Sequence, residues 1–191
     1  MLASIPAGKV ISTFGLERVT YYPRTPGAHL HAPTAHFLSS VGLPENRFFS
    51  ARPELADETL SQPFYGPSVK ASFERDGAEC PPEAETWEEL GVFQYAMVAL
   101  DPTNGAVYAF PEGEVEYAPM HADVSSFVHS LIVLEQAELE YKEIKDGDYQ
   151  AYDRLVSRMK QQITAVDETP FAHEDGEWTA LFEEIRNGMW K

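Results

Sequence analysis

The chain is poor in cysteine. Its one thiol, Cys80, lies in the polar, proline-rich stretch DGAECPPEAE. A single cysteine forms no internal disulfide and no thiolate metal cage, so an incidental loop thiol is the simplest reading. Basic residues are also scarce. Only 14 Lys and Arg stand against 31 Asp and Glu, giving a net charge of −17 over 191 residues. Such a surface repels phosphates, which argues against free nucleic acid and anionic membranes as partners. A basic protein would instead be attracted and steered in, although acidity also serves plain solubility. No apolar run approaches the length of a membrane span, and the opening MLASIPAGKV does not read as a secretory leader. A soluble, reducing, cytoplasmic setting is therefore expected. There is no glycine-rich phosphate loop with its lysine and no G-x-S-x-G nucleophile elbow. Internal repeats and low-complexity tracts are missing too.

What remains is enough for a core: 43% of residues are hydrophobic and 12% aromatic. The length suits one compact domain over residues 1–191, with its core at about 16–145 and a helical C-terminal part at 146–191. Along the chain, GLERVTYYP reads as a strand stopped by Pro23, and RTPGAHLHAP as a loop. PTAHFLSSVGLPEN predicts a short helix capped by Thr34, ended by Gly42 and blocked by Pro44. FFSAR and SVKASFE read as short strands. GVFQYAMVALD is one long apolar strand, DPTNG a turn, and AVYAF the returning strand. EVEYAP alternates and predicts a third strand, with Glu114 and Glu116 on one wet face.

Three amphipathic helices follow. Val124, Phe127, Val128, Leu131 and Leu134 keep helical spacing, with Asp123 at the capping position and a helix end near Asp146-Gly147. Tyr152, Leu155, Val156, Met159 and Ile163 form a second stripe. DETPFAHEDGE is a linker, and Trp178, Leu181, Phe182 and Ile185 mark a last helix. The fold class is α+β: a small antiparallel sheet flanked by helices, with additional C-terminal helices.

HADVSSFVHSL holds His121, Asp123, Ser125, Ser126 and His129. Ser125 and His129 are helical neighbours, as a nucleophile and base would be. Yet Asp123 has a better local task as a cap, serine is common in a first helical turn, and His129 lies off the apolar stripe, facing solvent. HLHAPTAH places His29, His31 and His36 close together, and His121 with Asp123 would complete a metal site if the fold brought them near. No carboxylate follows at ligand spacing, so a polar loop is favoured. Acid pairs such as Glu88/Glu89, Glu138/Glu140 and Glu183/Glu184 are expected by chance among so many acids. FPEGEVEYAP is more suggestive. Its Glu112, Glu114 and Glu116 sit beside Phe110 and Tyr117, a mixture suited to a basic protein partner or to a charged edge strand. Glu112, Glu114, Glu116 and Tyr117 are the nominated partner-binding residues, with Glu88 and Glu89 as outsiders.

Three segments carry a resemblance: HFLSSVGLPE, LGVFQYAMVALDPTNGAVYAFPEG and HADVSSFVHSLIVLEQ. A short helix ends in V-G-L-P. A strand ends in aspartate before a turn, a G-x-V-Y return strand follows, and a small-polar cap leads into an F-V-x-S-L helix. Together with the late EEIRNGMW, this order resembles the SUKH superfamily of bacterial immunity proteins, and in particular its fourth, actinobacterial-type subfamily. The likeness spans roughly residues 16–190. His121-Ala122-Asp123 stands where the family often has an Asn-Ser-Ser type cap, so the cap is kept through Asp123. The resemblance implies a cytoplasmic antidote that binds and neutralises a toxin domain, often a nuclease or a nucleic-acid deaminase, with no cofactor, no metal and no catalytic residues. A general interaction module without a toxin, or a His-based metal-dependent hydrolase, are the alternatives.

Overall fold

The computed structural model describes residues 1–22, 30–51 and 68–190. Among them, an N-terminal helix α1 (Ala7–Phe14) leads to the two-residue strand β1 (Val19–Thr20). Then come α2 (Ala32–Ser40), β2 (Leu43–Pro44), β3 (Phe49–Ala51) and α3 (Val69–Arg75). A meander of β4 (Glu88–Phe93), β5 (Ala96–Leu100), β6 (Val107–Phe110) and β7 (Ala118–His121) follows. The chain closes with α4 (Val124–Glu143), α5 (Tyr149–Thr164) and α6 (Glu177–Arg186). The five strands β3 to β7 form one antiparallel sheet in sequence order, while β1 pairs with β2. The class is α+β, as expected.

Register makes the sheet two-faced, because side chains alternate along each strand. The rows Gly91–Val98–Ala109 and Leu100–Val107–His121 lie on one face. There they meet α4, whose Phe127 packs edge-on against Phe49 and also against Phe93. This main core gathers buried residues from Val10 of α1 to Trp190, including the predicted stripes of all three C-terminal helices. The rows Val92–Met97–Phe110 and Ala99–Tyr108 lie on the other face. They belong to a second, smaller cluster with Val69 and Phe73 of α3, Trp87 and Tyr117, save for the exposed Val92.

Several sequence expectations need correction. SVKASFE is helix, not strand: Ser68 caps it by accepting the Ala71 N–H at 3.3 Å, and Val69, Ser72 and Phe73 bury at helical spacing. GVFQYAMVALD is two strands joined at Gln94-Tyr95, where Gln94 takes φ +53°. That conformation is normally given to Gly, Asn or Asp, so the turn left no mark in the sequence. EVEYAP is not a strand; β7 begins only at Ala118, and Glu114 and Glu116 lie in an exposed turn. Helix α2 starts at Ala32, so Thr34 is buried within it rather than capping it. GLERVTYYP supplies only β1, after a 3-10 turn at Leu16–Arg18, and α1 was not anticipated. Most of RTPGAHLHAP lies outside the described residues, and its Ala32 and Pro33 open α2. The β3 strand, the turn at DPTNG, the return strand β6 and the three long helices stand where they were expected, although α4 ends at Glu143.

Candidate partner-binding face

The junction of β7 and α4 settles what the HADVSSFVHSL stretch does. Asp123 Oδ1 accepts the Ser126 N–H at 2.9 Å and the Ser125 hydroxyl at 2.7 Å. One orphan backbone N–H of the first helical turn is thereby satisfied, which is what an N-cap supplies. His121 and Ser126 turn to a residue 41 positions beyond Ser126. Asp167 Oδ2 accepts the Ala122 N–H at 2.8 Å and the Ser126 hydroxyl at 2.7 Å, and lies 3.3 Å from His121 Nδ1. Its Oδ1 accepts the Thr169 N–H at 3.0 Å.

Serine, histidine and aspartate do converge here, but in the wrong order for acyl transfer. A triad needs the carboxylate on one ring nitrogen and the hydroxyl on the other. In this cluster both lie on the Nδ1 side, and Ser126 Oγ is 3.3 Å from Nδ1 itself. Nε2 is buried without a hydrogen-bond partner among the described residues, between the rings of Phe127 and Trp178. His121 is 1% exposed and Ser126 is fully buried, so no substrate reaches either. Burial holds the His121 pKa below its ordinary 6.5 despite the pull of Asp167, and the ring is neutral at pH 7. Burial alone would raise Asp167, but bonds from His121, Thr169, Ala122 and Ser126 outweigh it and hold the carboxyl well below the usual range. The result is a latch: an anionic carboxylate ties the α5–α6 connection to the start of α4.

The other candidate ligands are dispersed in role. His31 precedes α2 and its Nδ1 contacts Thr34 Oγ1 at 3.0 Å; His36 is exposed on α2. His29 lies outside the described residues. His129 is half-buried rather than in open solvent, its Nε2 3.2 Å from the Gln162 carbonyl oxygen. Among the described residues no three His, Cys, Asp or Glu side chains are grouped to hold a metal ion. Burial and the neighbouring Glu85 push the Cys80 thiol up, away from nucleophilic use.

The outer face of the sheet is different. One end of it is sealed: Trp87 stacks on Tyr108 at 4.1 Å, and Phe73 of α3 packs edge-on against Phe110 at 5.4 Å. Tyr117 joins this cluster through Trp87 and Phe110 and donates its hydroxyl to Glu83 at 2.9 Å. Burial, then the Glu83 carboxylate, push the Tyr117 phenol up to about 12. Among the described residues, the other end stays open. Between α3 and the turn 111–116 runs a groove of about 410 Å³, floored by Val92, Met97 and Phe110 and flanked by Tyr95 and Val115. Its polar lining includes Glu89, Glu112, Glu114 and Asp76.

Three of the six nominated residues therefore come together on this groove. Glu89 accepts the Ser72 hydroxyl at 2.6 Å, while Glu112 and Glu114 stand exposed on the turn. Glu116 is exposed on the same turn but does not line the groove, Tyr117 belongs to the aromatic cluster, and Glu88 bridges to Ser68. The sequence reading missed the floor, Tyr95 and Asp167. Tyr95 is 76% exposed at the tip of the Gln94 turn, and Val92 is 40% exposed. No local signal marks the floor, since its three residues meet only through strand register. Asp167 did carry one: a carboxylate bonding the N–H two residues on is a common turn signature.

No curated protein and no solved structure matches the chain. The family model described as SUKH-4 immunity protein matches residues 5–184, nearly the whole chain and further toward the N-terminus than the segments that carried the sequence resemblance. No helix among the described residues is long and apolar enough to cross a membrane. The chain belongs to the SUKH-4 immunity protein family.

Proposed function

We propose that this chain is an antidote that binds a basic toxin domain, of nuclease or deaminase type, and blocks its active surface. Membership of an immunity family implies a toxin partner and a binding role. The observation that carries the finer reading is the charge of −17 on a chain of that family. Enzymes that handle nucleic acid present basic surfaces to phosphates, and an acidic inhibitor occupies such a surface by complementarity. Steric and electrostatic occlusion needs no cofactor and no catalytic group. It is supported by the β7–α4 cluster, where Ser126, His121 and Asp167 are arranged as a latch and not as a triad. Glu112, Glu114, Glu116 and Tyr117, with Glu88 and Glu89, are the proposed partner-binding residues. The antidote would act in the cytoplasm, where nucleic-acid substrates lie.

The test is a pull-down of the C-terminal domain encoded by the neighbouring upstream gene, followed by a salt titration of the affinity. Tight binding that weakens as salt rises from 50 to 500 mM is expected, because screening shortens the reach of exposed charges. No binding at low salt would reject that neighbour as the cognate toxin. Tight binding that is indifferent to salt would reject the electrostatic part.

A further inference from the structure

We infer that the groove between α3 and the turn 111–116 is a docking slot for one large apolar side chain of a partner protein, flanked in that partner by Lys or Arg. The inference deepens the toxin-binding reading and rests on its premise that the chain works by binding a protein.

Three observations carry it. First, the floor is apolar and open at its Val92 end: Val92 is 40% exposed and Met97 half-buried, while Phe110 is covered. Val92, Met97 and Phe110 form one cross-strand row, and α3 covers only the Phe110 end. At about 410 Å³ the groove exceeds the volume of a single tryptophan side chain, and it opens to solvent beside Tyr95 and Val115. An apolar row with this exposure loses free energy in water that an inserted side chain recovers. Second, the rim is negative. Glu112, Glu114 and Asp76 border the floor, and among the described residues the one cation on it, Arg75, already contacts Asp76 at 3.3 Å. A second copy of this chain would bring like charge to like charge, whereas a basic segment satisfies the rim. Third, an exposed aromatic stands at the mouth. Tyr95 is held on the tight turn that Gln94 closes, with the Gln94 N–H donating to the Phe48 carbonyl at 2.6 Å. Tyr95 also lines a second depression with Arg47, Met189 and Trp190, so the face continues past the slot. Exposed tyrosine and methionine around an apolar centre are the composition of an interface core rather than of idle surface.

The experiment uses the full chain. Random twelve-residue peptides displayed on phage are selected against it, and the enriched peptides are measured on four variants. Val92→Glu puts charge on the floor, Tyr95→Ala removes the aromatic, and Glu112→Lys with Glu114→Lys reverses the rim. Glu140→Lys with Glu143→Lys changes net charge by the same amount on α4, behind the opposite sheet face. Enriched peptides should pair Trp, Phe, Leu or Met with Lys or Arg. Binding should fall at least tenfold on each groove variant and stay within twofold on the α4 control. The rim and Tyr95 changes are on exposed positions, so they keep the test valid if Val92→Glu fails to fold. Equal binding to all variants, equal loss on the control, or no enrichment of such peptides would overturn the proposal. So would a dimer of this chain that Val92→Glu dissolves. The same variants are then measured with the toxin domain. If that domain binds wild type and groove variants alike, the slot is refuted and the toxin reading stands. If it binds neither while the peptides behave as expected, the slot stands and that toxin assignment falls.

Discussion

Replacing Asp167 by asparagine removes one charge from the latch and leaves its shape. Asp167 receives the Ala122 N–H, the Ser126 hydroxyl and the His121 Nδ1 contact on one oxygen and the Thr169 N–H on the other. An asparagine oxygen can serve only one side. If it faces Ala122 and Ser126, the amide NH2 meets the Thr169 N–H, donor against donor. The unsatisfied donor costs about 1–3 kcal/mol, and each bond that drops from charge-assisted to neutral loses about 1 kcal/mol more. Easier burial of the neutral amide offsets part of this. The net expectation is a loss of about 3 kcal/mol, or about 6–12 °C in Tm at this chain length. Urea unfolding at pH 7.5 reads it directly, with an unchanged slope showing that two-state behaviour survives. A loss below about 1 kcal/mol would show that the latch does not hold the α5–α6 connection, and the reasoning would fail.

Further expectations concern pH, a glycine and the antidote itself. His121 has a folded-state pKa below its unfolded 6.5, so above pH 6.5 neither state binds a proton there. Between that value and the lower folded-state one only the unfolded chain does, and stability falls by up to about 1.4 kcal/mol per pH unit as pH drops. Asp167, also depressed in the folded state, adds its own loss only below its unfolded value of 3.8. Urea titrations of wild type and His121→Gln from pH 7.5 to 5 should differ in slope below pH 6.5; parallel curves would refute a buried neutral ring. Gly91 sits at φ +150°, and a Cβ there would overlap the Ser50 carbonyl oxygen of the neighbouring strand. Gly91→Ala should therefore lose about 2–4 kcal/mol from strain and crowding, measured by thermal unfolding. Cells expressing the toxin domain should be protected by wild type and by His31→Ala alike, since the hydrogen bonds of His31 among the described residues are its ring to Thr34 and its backbone to Pro102 and Ala35. Lost protection by a folded His31→Ala variant would reopen a role for that histidine.

Legibility in the sequence followed how local each signal is. Helices α4, α5 and α6 were readable because their stripes repeat every three to four residues, and Asp123 announces the first of them. The β5–β6 turn was readable because Asn104 and Gly105 are turn residues, and Gly105 takes φ +83°. The β4–β5 turn was not, because Gln94 adopts a glycine-like conformation without being glycine. SVKASFE failed because seven residues hold too little period to separate helix from strand. At the face, the carboxylates of Glu112 and Glu114 were visible as composition. The floor they border was invisible, because Val92, Met97 and Phe110 become one row only once three strands are paired. Asp167 showed locally only its turn to Thr169, and its tie to α4 was hidden because Ser126, Ala122 and His121 lie 41 to 46 positions earlier.

Strand alternation divides labour in this sheet. Val98 and Ala109 point to the α4 side, while their chain neighbours Met97 and Phe110 point outward. Val92 lies outward likewise, next to the inward Phe93. A substitution at Val92, Tyr95 or Val115 thus changes the open face without touching the main core. The loop positions Tyr95 and Val115 can vary in size and charge at little loss of stability, since exposed changes usually shift it by less than about 0.5 kcal/mol. If the proposed slot binds the partner, the same scaffold follows a changing partner one side chain at a time.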